Sequence, residues 1–260
     1  MVIVLVAWKK VSSDQDERGL GTKSLICLNE ATNLKQCWNL LQSEEKWASI
    51  LIRKIIRRNR CISYHISSSI WSNTKAKFQT IQDNTTWLIG DGADVNFWID
   101  SWCGDPIAQT FNISDDILQQ FPQNLSSYIL NNHWNISEDL NFLFPNLRSL
   151  ITKVIIPIQR HKDKLIWPHS SKGDLSLKDA YIFKKHNNPK ISWAKCIWSK
   201  DIAPSKSLLV WRFMLDKLPT DENLAHRGCN LPSMCSLCAK QVEASFYLFL
   251  DCPYVVNIWC

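Results

Sequence analysis

Apolar residues recur at steps of three and four from Ser24 onward. Leu25, Leu28, Ala31, Leu34, Cys37, Trp38 and Leu41 share one face of a predicted helix. Glu44 and Glu45 then stand where negative charge favours a helix start. Trp47, Ile50, Leu51 and Ile55 form the apolar stripe of a second helix, ringed by Lys46, Arg53, Lys54, Arg57, Arg58 and Arg60. Residues 61–82 are Ser-rich and show no clear period. The pattern then shortens. Trp87-Leu88-Ile89, the turn Gly90-Asp91-Gly92-Ala93-Asp94 and Val95-Asn96-Phe97-Trp98-Ile99 predict a hairpin. Short amphipathic helices broken by Asn and Pro follow over 106–160. A second hairpin is expected from Leu165-Ile166-Trp167, the turn Ser171-Lys172-Gly173-Asp174, and the alternating Leu175-Ser176-Leu177-Lys178. Helices dominate the rest: one from Ala180, one around Trp193 to Trp198, one starting at Pro204, and one capped by Thr220 and closed by Gly228. The pattern gives an α+β chain, mostly α-helical, with two small β-hairpins.

Composition narrows the classes. The 260 residues suffice for one large or two modest domains. Thirteen tryptophans supply large areas to bury, and Trp87, Trp98 and Trp102, at near-alternate positions, read as core rather than as base-stacking platforms. The net charge of +6 suits an anionic partner. The opening run MVIVLVAWKK is too short to span a membrane and lacks the order of a secretory leader. The N-x-Ser/Thr sequons at Asn84, Asn112, Asn124 and Asn135 then have no glycosylation route, and the ten cysteines are expected reduced. Clustered thiols become metal candidates.

The sharpest chemistry is Cys235-Ser-Leu-Cys238 followed by Cys252. A C-x2-C turn sets two thiolates on one knuckle at a spacing that tetrahedral zinc accepts. The basic helix, through Arg53, Lys54, Arg57 and Arg58, is a candidate for phosphate contact; a solvated helix face is the plainer alternative. Asp91, Asp94, Asp100 and Asp105 could suggest a carboxylate metal site, but the hairpin explains Asp91 and Asp94 as turn residues, and His161 and His169 flank Trp167 with no nucleophile beside them.

A set of motifs in fixed order carries a resemblance. Leu218-Pro219-Thr220, Leu224, Arg227-Gly228, Cys235-x-x-Cys238, Glu243, Leu248-Phe249, Cys252-Pro253 and Trp259 resemble the zinc-binding domain that follows the polymerase in plant non-LTR (LINE-type) retrotransposon reverse transcriptases. Trp167, Gly173, Leu175 to Lys178, Ala180-Tyr181, Trp193, Ile197-Trp198, Pro204-x-Lys206 and Trp211 extend it upstream. Trp87-x-x-Gly90-Asp91-Gly92 with Phe97-Trp98-x-Asp100-x-Trp102 looks like the linking segment. Trp8, Gly19-Leu20-Gly21, Asn29, Ala31, Leu34, Lys35 and Trp38 look like the stretch just after the polymerase.

The resemblance implies three regions: a helical segment at 1–60, a linker with a Trp-rich hairpin at 61–160, and the zinc-binding domain, a zinc-knuckle-like module, at 161–260. It implies Zn2+ as cofactor and RNA or DNA as partner, with no membrane and no small-molecule substrate. It implies an intracellular, nuclear setting. The polymerase's Tyr-x-Asp-Asp hairpin does not occur in the chain, and a ribonuclease H domain would follow it, so no enzyme activity is expected. The family's fourth ligand is a His at the position held here by Tyr247; a phenol with pKa near 10 is a poor substitute. Cys229, then His226, stand nearest to replace it. The alternative is a degenerate relic of an element, without selected activity or with only a protein-interaction role.

Overall fold

The computed structural model describes residues 6–57, 60–62, 69–185, 188–229 and 233–260. The chain forms two compact units: Ile26–Lys185, and a second unit made of Met1–Leu25 with His186–Cys260. The mostly helical α+β class holds. Three two-stranded antiparallel sheets accompany the helices among the described residues.

In Ile26–Lys185 the first periodic run is the helix Leu25–Gln42, which buries Ala31, Leu34, Cys37 and Trp38. These pack with Phe78 and Ile81 of the helix Ser69–Asp83, and with Trp167, Leu175 and Ala180. Trp38 and Trp167 meet edge to face at 6.3 Å. That arrangement suits the positive rim and negative face of the rings.

A larger core belongs to residues 89–151, where regular structure is sparse. Phe97, Trp98, Trp102, Leu125, Tyr128, Leu147 and Ile151 are all buried. The indoles are satisfied by carbonyls: Trp98 Nε1 donates to Pro122 O at 3.0 Å and Trp102 Nε1 to Phe97 O at 2.9 Å. Buried Trp needs such an acceptor. The core reading of Trp98 and Trp102 is thus correct.

Both expected hairpins pair differently. Thr86–Leu88 runs antiparallel to Lys164–Ile166, with Trp87 opposite Leu165, so one strand of each expected hairpin joins the other. Residues 95–99 are not a strand. Asn96 Oδ1 accepts the N–H groups of Trp98 at 2.9 Å and Ile99 at 3.2 Å, folding the backbone into a turn that competes with a ladder. Leu175 to Lys178 is not a strand either. Ser176 caps the helix Leu177–Lys184 in a capping box with Asp179. Tight antiparallel pairs form elsewhere: Ile56–Arg57 with Arg60–Cys61, and Ile129–Leu130 with His133–Trp134 across Asn131 and Asn132 at positive φ.

The turn at Gly90 to Asp94 is held from a distance. Asp163 Oδ1 accepts the N–H groups of Gly90 at 2.6 Å and Gly92 at 3.0 Å, and its Oδ2 accepts that of Asp94 at 2.9 Å. A Cβ on Gly90 would lie 2.0 Å from His161 O, so only glycine fits there.

In the second unit, residues 7–21 form a short helix, Trp8–Val11, and a 3-10 turn, Gln15–Glu17. This segment receives the later one. Ile191 N–H donates to Asp16 O at 2.9 Å and Trp211 Nε1 to Arg18 O at 2.8 Å. Arg18 is left-handed at φ 74°, and a Cβ on Gly19 would meet Ser13 O at 1.9 Å. The helices are Ser192–Ile197, Pro204–Met214 with Pro at its first turn, Asp221–Ala225 and Pro253–Trp259. Thr220 stands at the start of Asp221–Ala225 but its side chain makes no capping bond; its Oγ1 is buried without a partner among the described residues. Among the described residues no helix is long and apolar enough to cross a membrane.

Candidate metal centre

The C-x2-C turn is a small loop closed by the backbone. Cys235 N–H donates to Gln241 O at 2.7 Å, Ala239 N–H to Cys235 O at 2.8 Å, and Met234 bridges Val242. Ala239 takes positive φ to complete the turn. Both thiols of the knuckle therefore lie on one side of a rigid loop.

The third thiol arrives by a widened helical turn. Tyr247–Asp251 is π-helical, and Cys252 N–H donates to Tyr247 O at 2.8 Å. In an α-helix, residues five apart point roughly 140° away from each other. The wider i→i+5 turn brings them closer to one face. It places both Tyr247 and Cys252 against the knuckle. Cys252 then starts the helix Pro253–Trp259.

The Sγ atoms of Cys235, Cys238 and Cys252 all lie within 4.8 Å of one another, and Cys235 to Cys252 is 3.9 Å. Zn–S bonds of about 2.3 Å in a tetrahedron separate sulfurs by about 3.8 Å, so the donor spacing fits a thiolate-bound ion. Cys235 and Cys252 are buried and Cys238 is half-buried. Burial pushes the Cys252 thiol up from its ordinary value, against weaker lowering by backbone N–H groups of Val255 and Tyr254. A bound cation would offset that cost.

Tyr247 takes the fourth side. Its O–H lies 3.0 Å from Cys238 Sγ. That contact holds the Cys238 thiol down at about 7 and pushes the phenol up to about 12. Cys229 and His226 do not join the three-thiol group among the described residues. The Cys229 N–H instead closes the turn after Asp221–Ala225, onto Leu224 O at 3.1 Å.

Of the basic candidates, Arg53 and Lys54 lie on the helix Lys46–Ile55 of the other unit, whereas Arg57, expected on the same helix, falls in the two-residue strand Ile56–Arg57 that follows it. Arg53 and Lys54 are exposed in the last turn of that helix. Arg58 lies outside the described residues, as does the side chain of Arg57. The expected apolar stripe is only partly buried. Ala48 and Ile55 pack with Leu40 and Ile62, whereas Trp47 is 51% exposed and Ile50 55% exposed. The core here is small and reaches one side of the helix, leaving Lys46, Trp47, Ile50, Arg53 and Lys54 on an open face. Sequence periodicity alone missed this mixed aromatic and cationic surface. Two of the four carboxylates weighed for a metal have structural tasks: Asp91 accepts the Ala93 N–H and Asp100 that of Asn96.

Residues 175–259 match the protein family described as zinc-binding in reverse transcriptase. A curated Arabidopsis thaliana protein, whose name provisionally assigns it to ribonuclease H, is 25% identical over 271 aligned positions. The alignment covers 98% of this chain and 43% of that protein, so the chain spans less than half the length of the curated relative it matches. No solved structure matches the chain. The family match supports a retroelement-derived origin for this region.

Proposed function

We propose that this chain is a non-catalytic, metal-binding part of a plant LINE-type reverse-transcriptase polyprotein that binds RNA or DNA beside the polymerase. The observation that carries the reading is the three-thiol cluster of Cys235, Cys238 and Cys252, inside the segment matching the reverse-transcriptase zinc-binding family. Those three residues would hold the ion. When bound, it supplies cross-linking of the knuckle to the Cys252 turn, a structural contribution to folding. The open face of Lys46, Arg53 and Lys54, with Trp47 among them, supports the nucleic-acid part: cations neutralise phosphates and an exposed indole can stack on a base. Nuclear residence follows from that role. Ribonuclease H activity stays with the relative's name and is not part of this reading.

Tyr247 favours a second reading, a relic whose site has lost its fourth ligand and retains at most a protein-interaction role. One experiment separates the two. Binding of labelled single-stranded RNA and of duplex DNA is measured across a salt series, with metal-loaded and chelator-treated protein. The proposal expects binding that weakens linearly in log salt and falls after metal removal. A flat response at every salt concentration would leave the relic.

A further inference from the structure

We propose that a cavity within Ile26–Lys185 binds a linear polyamine, a ligand whose ammonium groups are spaced along an apolar chain. The cavity lies in the unit without the thiol cluster, so the inference is independent of the metal reading.

The cavity has a volume of about 530 Å³. That falls within the roughly 300–1,000 Å³ common for small-molecule sites. It is bounded by the end of the helix Ser69–Asp83, the paired strands Thr86–Leu88 and Lys164–Ile166, and residues 99–118. Much of the wall is apolar. Phe78, Ile81 and Leu118 are buried there, and Trp87 is half-buried.

The charge on this wall has one sign. Asp83, Asp100, Asp105 and Asp115 line the cavity, and no Lys, Arg or His is among its described lining residues. The chain as a whole carries +6, so the cavity runs against the average. Low-dielectric walls focus the field of such charges, and the complement is a cation. A single metal ion does not fit the arrangement. Among the described residues, only the three thiols bring three or more donors close enough to share an ion. The carboxylates are instead spread around an apolar space. A polyamine matches that pattern, because methylene spacers can lie on Phe78, Ile81 and Leu118 while separate ammonium groups meet separate carboxylates. The Trp87 ring adds a surface that attracts a cation.

A second observation does not depend on charge. Thr85 lines the same cavity and is 6% exposed. Its hydroxyl has no hydrogen-bond partner among the described residues. A buried hydroxyl left so carries a desolvation cost that an ammonium donor would remove.

The test titrates the full chain with spermidine by calorimetry at low salt, with circular dichroism to check folding. The wild type should bind one spermidine per chain. n-Butylamine should bind about tenfold more weakly, since it forgoes two ammonium–carboxylate pairs of roughly threefold each. Asp105→Asn should weaken spermidine about threefold. Asp139→Asn, exposed and outside the cavity, should leave it unchanged. Thr85→Val should weaken spermidine about tenfold, the weight of a hydrogen bond to a charged group, while leaving the urea midpoint of ligand-free protein equal or higher. A merely structural role for Thr85 would lower that midpoint and leave affinity alone. Any of four results would overturn the inference: no binding to folded wild type, equal effects of Asp105→Asn and Asp139→Asn, wild-type affinity in Thr85→Val, or n-butylamine binding as tightly as spermidine. Displacement of spermidine by equimolar calcium would overturn it in favour of a metal site.

Discussion

Replacing Tyr247 by Phe deletes one oxygen and should change the reactivity of a thiol it does not touch by bond. With the hydroxyl in place, Cys238 is held down from 9.0 to about 7, chiefly by the Tyr247 hydrogen bond. At pH 7 that raises the thiolate fraction from about 1% to about half, roughly 50-fold. A less basic thiolate is also a weaker nucleophile, by roughly eightfold over two units at a Brønsted slope near 0.45. The net expectation at pH 7 is alkylation of Cys238 roughly sixfold faster in the wild type than in Tyr247→Phe. Near pH 10 both thiols are ionised, and the order should invert, with the variant faster. The sign for stability agrees: a depressed folded value adds stability above the ordinary thiol range, lost as pH falls through about 7. Iodoacetamide labelling of metal-free protein, resolved to Cys238 by peptide mass spectrometry from pH 5 to 10, reads both effects. Superimposable pH–rate profiles for wild type and variant would refute the reasoning.

Further expectations concern the fold and the basic face. Asp163→Ala removes the acceptor of three backbone N–H groups and should cost about 2–4 kcal/mol, discounted for partial exposure, in urea unfolding of the full chain. Trp98→Ala empties a fully buried site beside Phe97 and Tyr128 and should cost about 3–5 kcal/mol in the same assay. Combined Arg53→Ala and Lys54→Ala, both exposed, should leave stability nearly unchanged. It should reduce the slope of log affinity against log salt for nucleic acid by roughly two. An unchanged slope would remove this helix from the proposed contact.

Much of the helical scaffold was legible because burial and period coincide. Leu34, Cys37 and Trp38 are buried where the 3.6-residue pattern put them, and Pro204 starts its helix where its fixed φ is cheapest. The cysteine spacing likewise announced a three-thiol cluster, since C-x2-C is a local property of one turn. Strand pairing was not legible. Trp87 opposite Leu165 is a long-range choice, and the local turn signals at Gly90 to Asp94 and Gly173 suggested nearer partners for each strand. The Asn96 turn and the Ser176–Asp179 capping box were written in the sequence but outweighed by alternation of apolar residues. The phenol of Tyr247 within bonding distance of Cys238 depended on the π-turn, which has no sequence signature of its own.

The unit that holds the thiols is assembled from two stretches of chain separated by all of Ile26–Lys185. Its closure is therefore a problem of timing as much as of energy. A flexible loop of that length would charge about 4–5 kcal/mol of entropy for bringing its ends together. If the intervening unit folds first, its ends become fixed and most of that search disappears. During synthesis at 5–20 residues per second, the early segment waits roughly ten seconds or more before its partner exists. Until then the carbonyl of Arg18 lacks the Trp211 indole, and that of Asp16 lacks the Ile191 amide. The metal knuckle is thus among the last parts of this chain able to reach its finished surroundings, and an ion captured earlier would be held by a loop still without its frame.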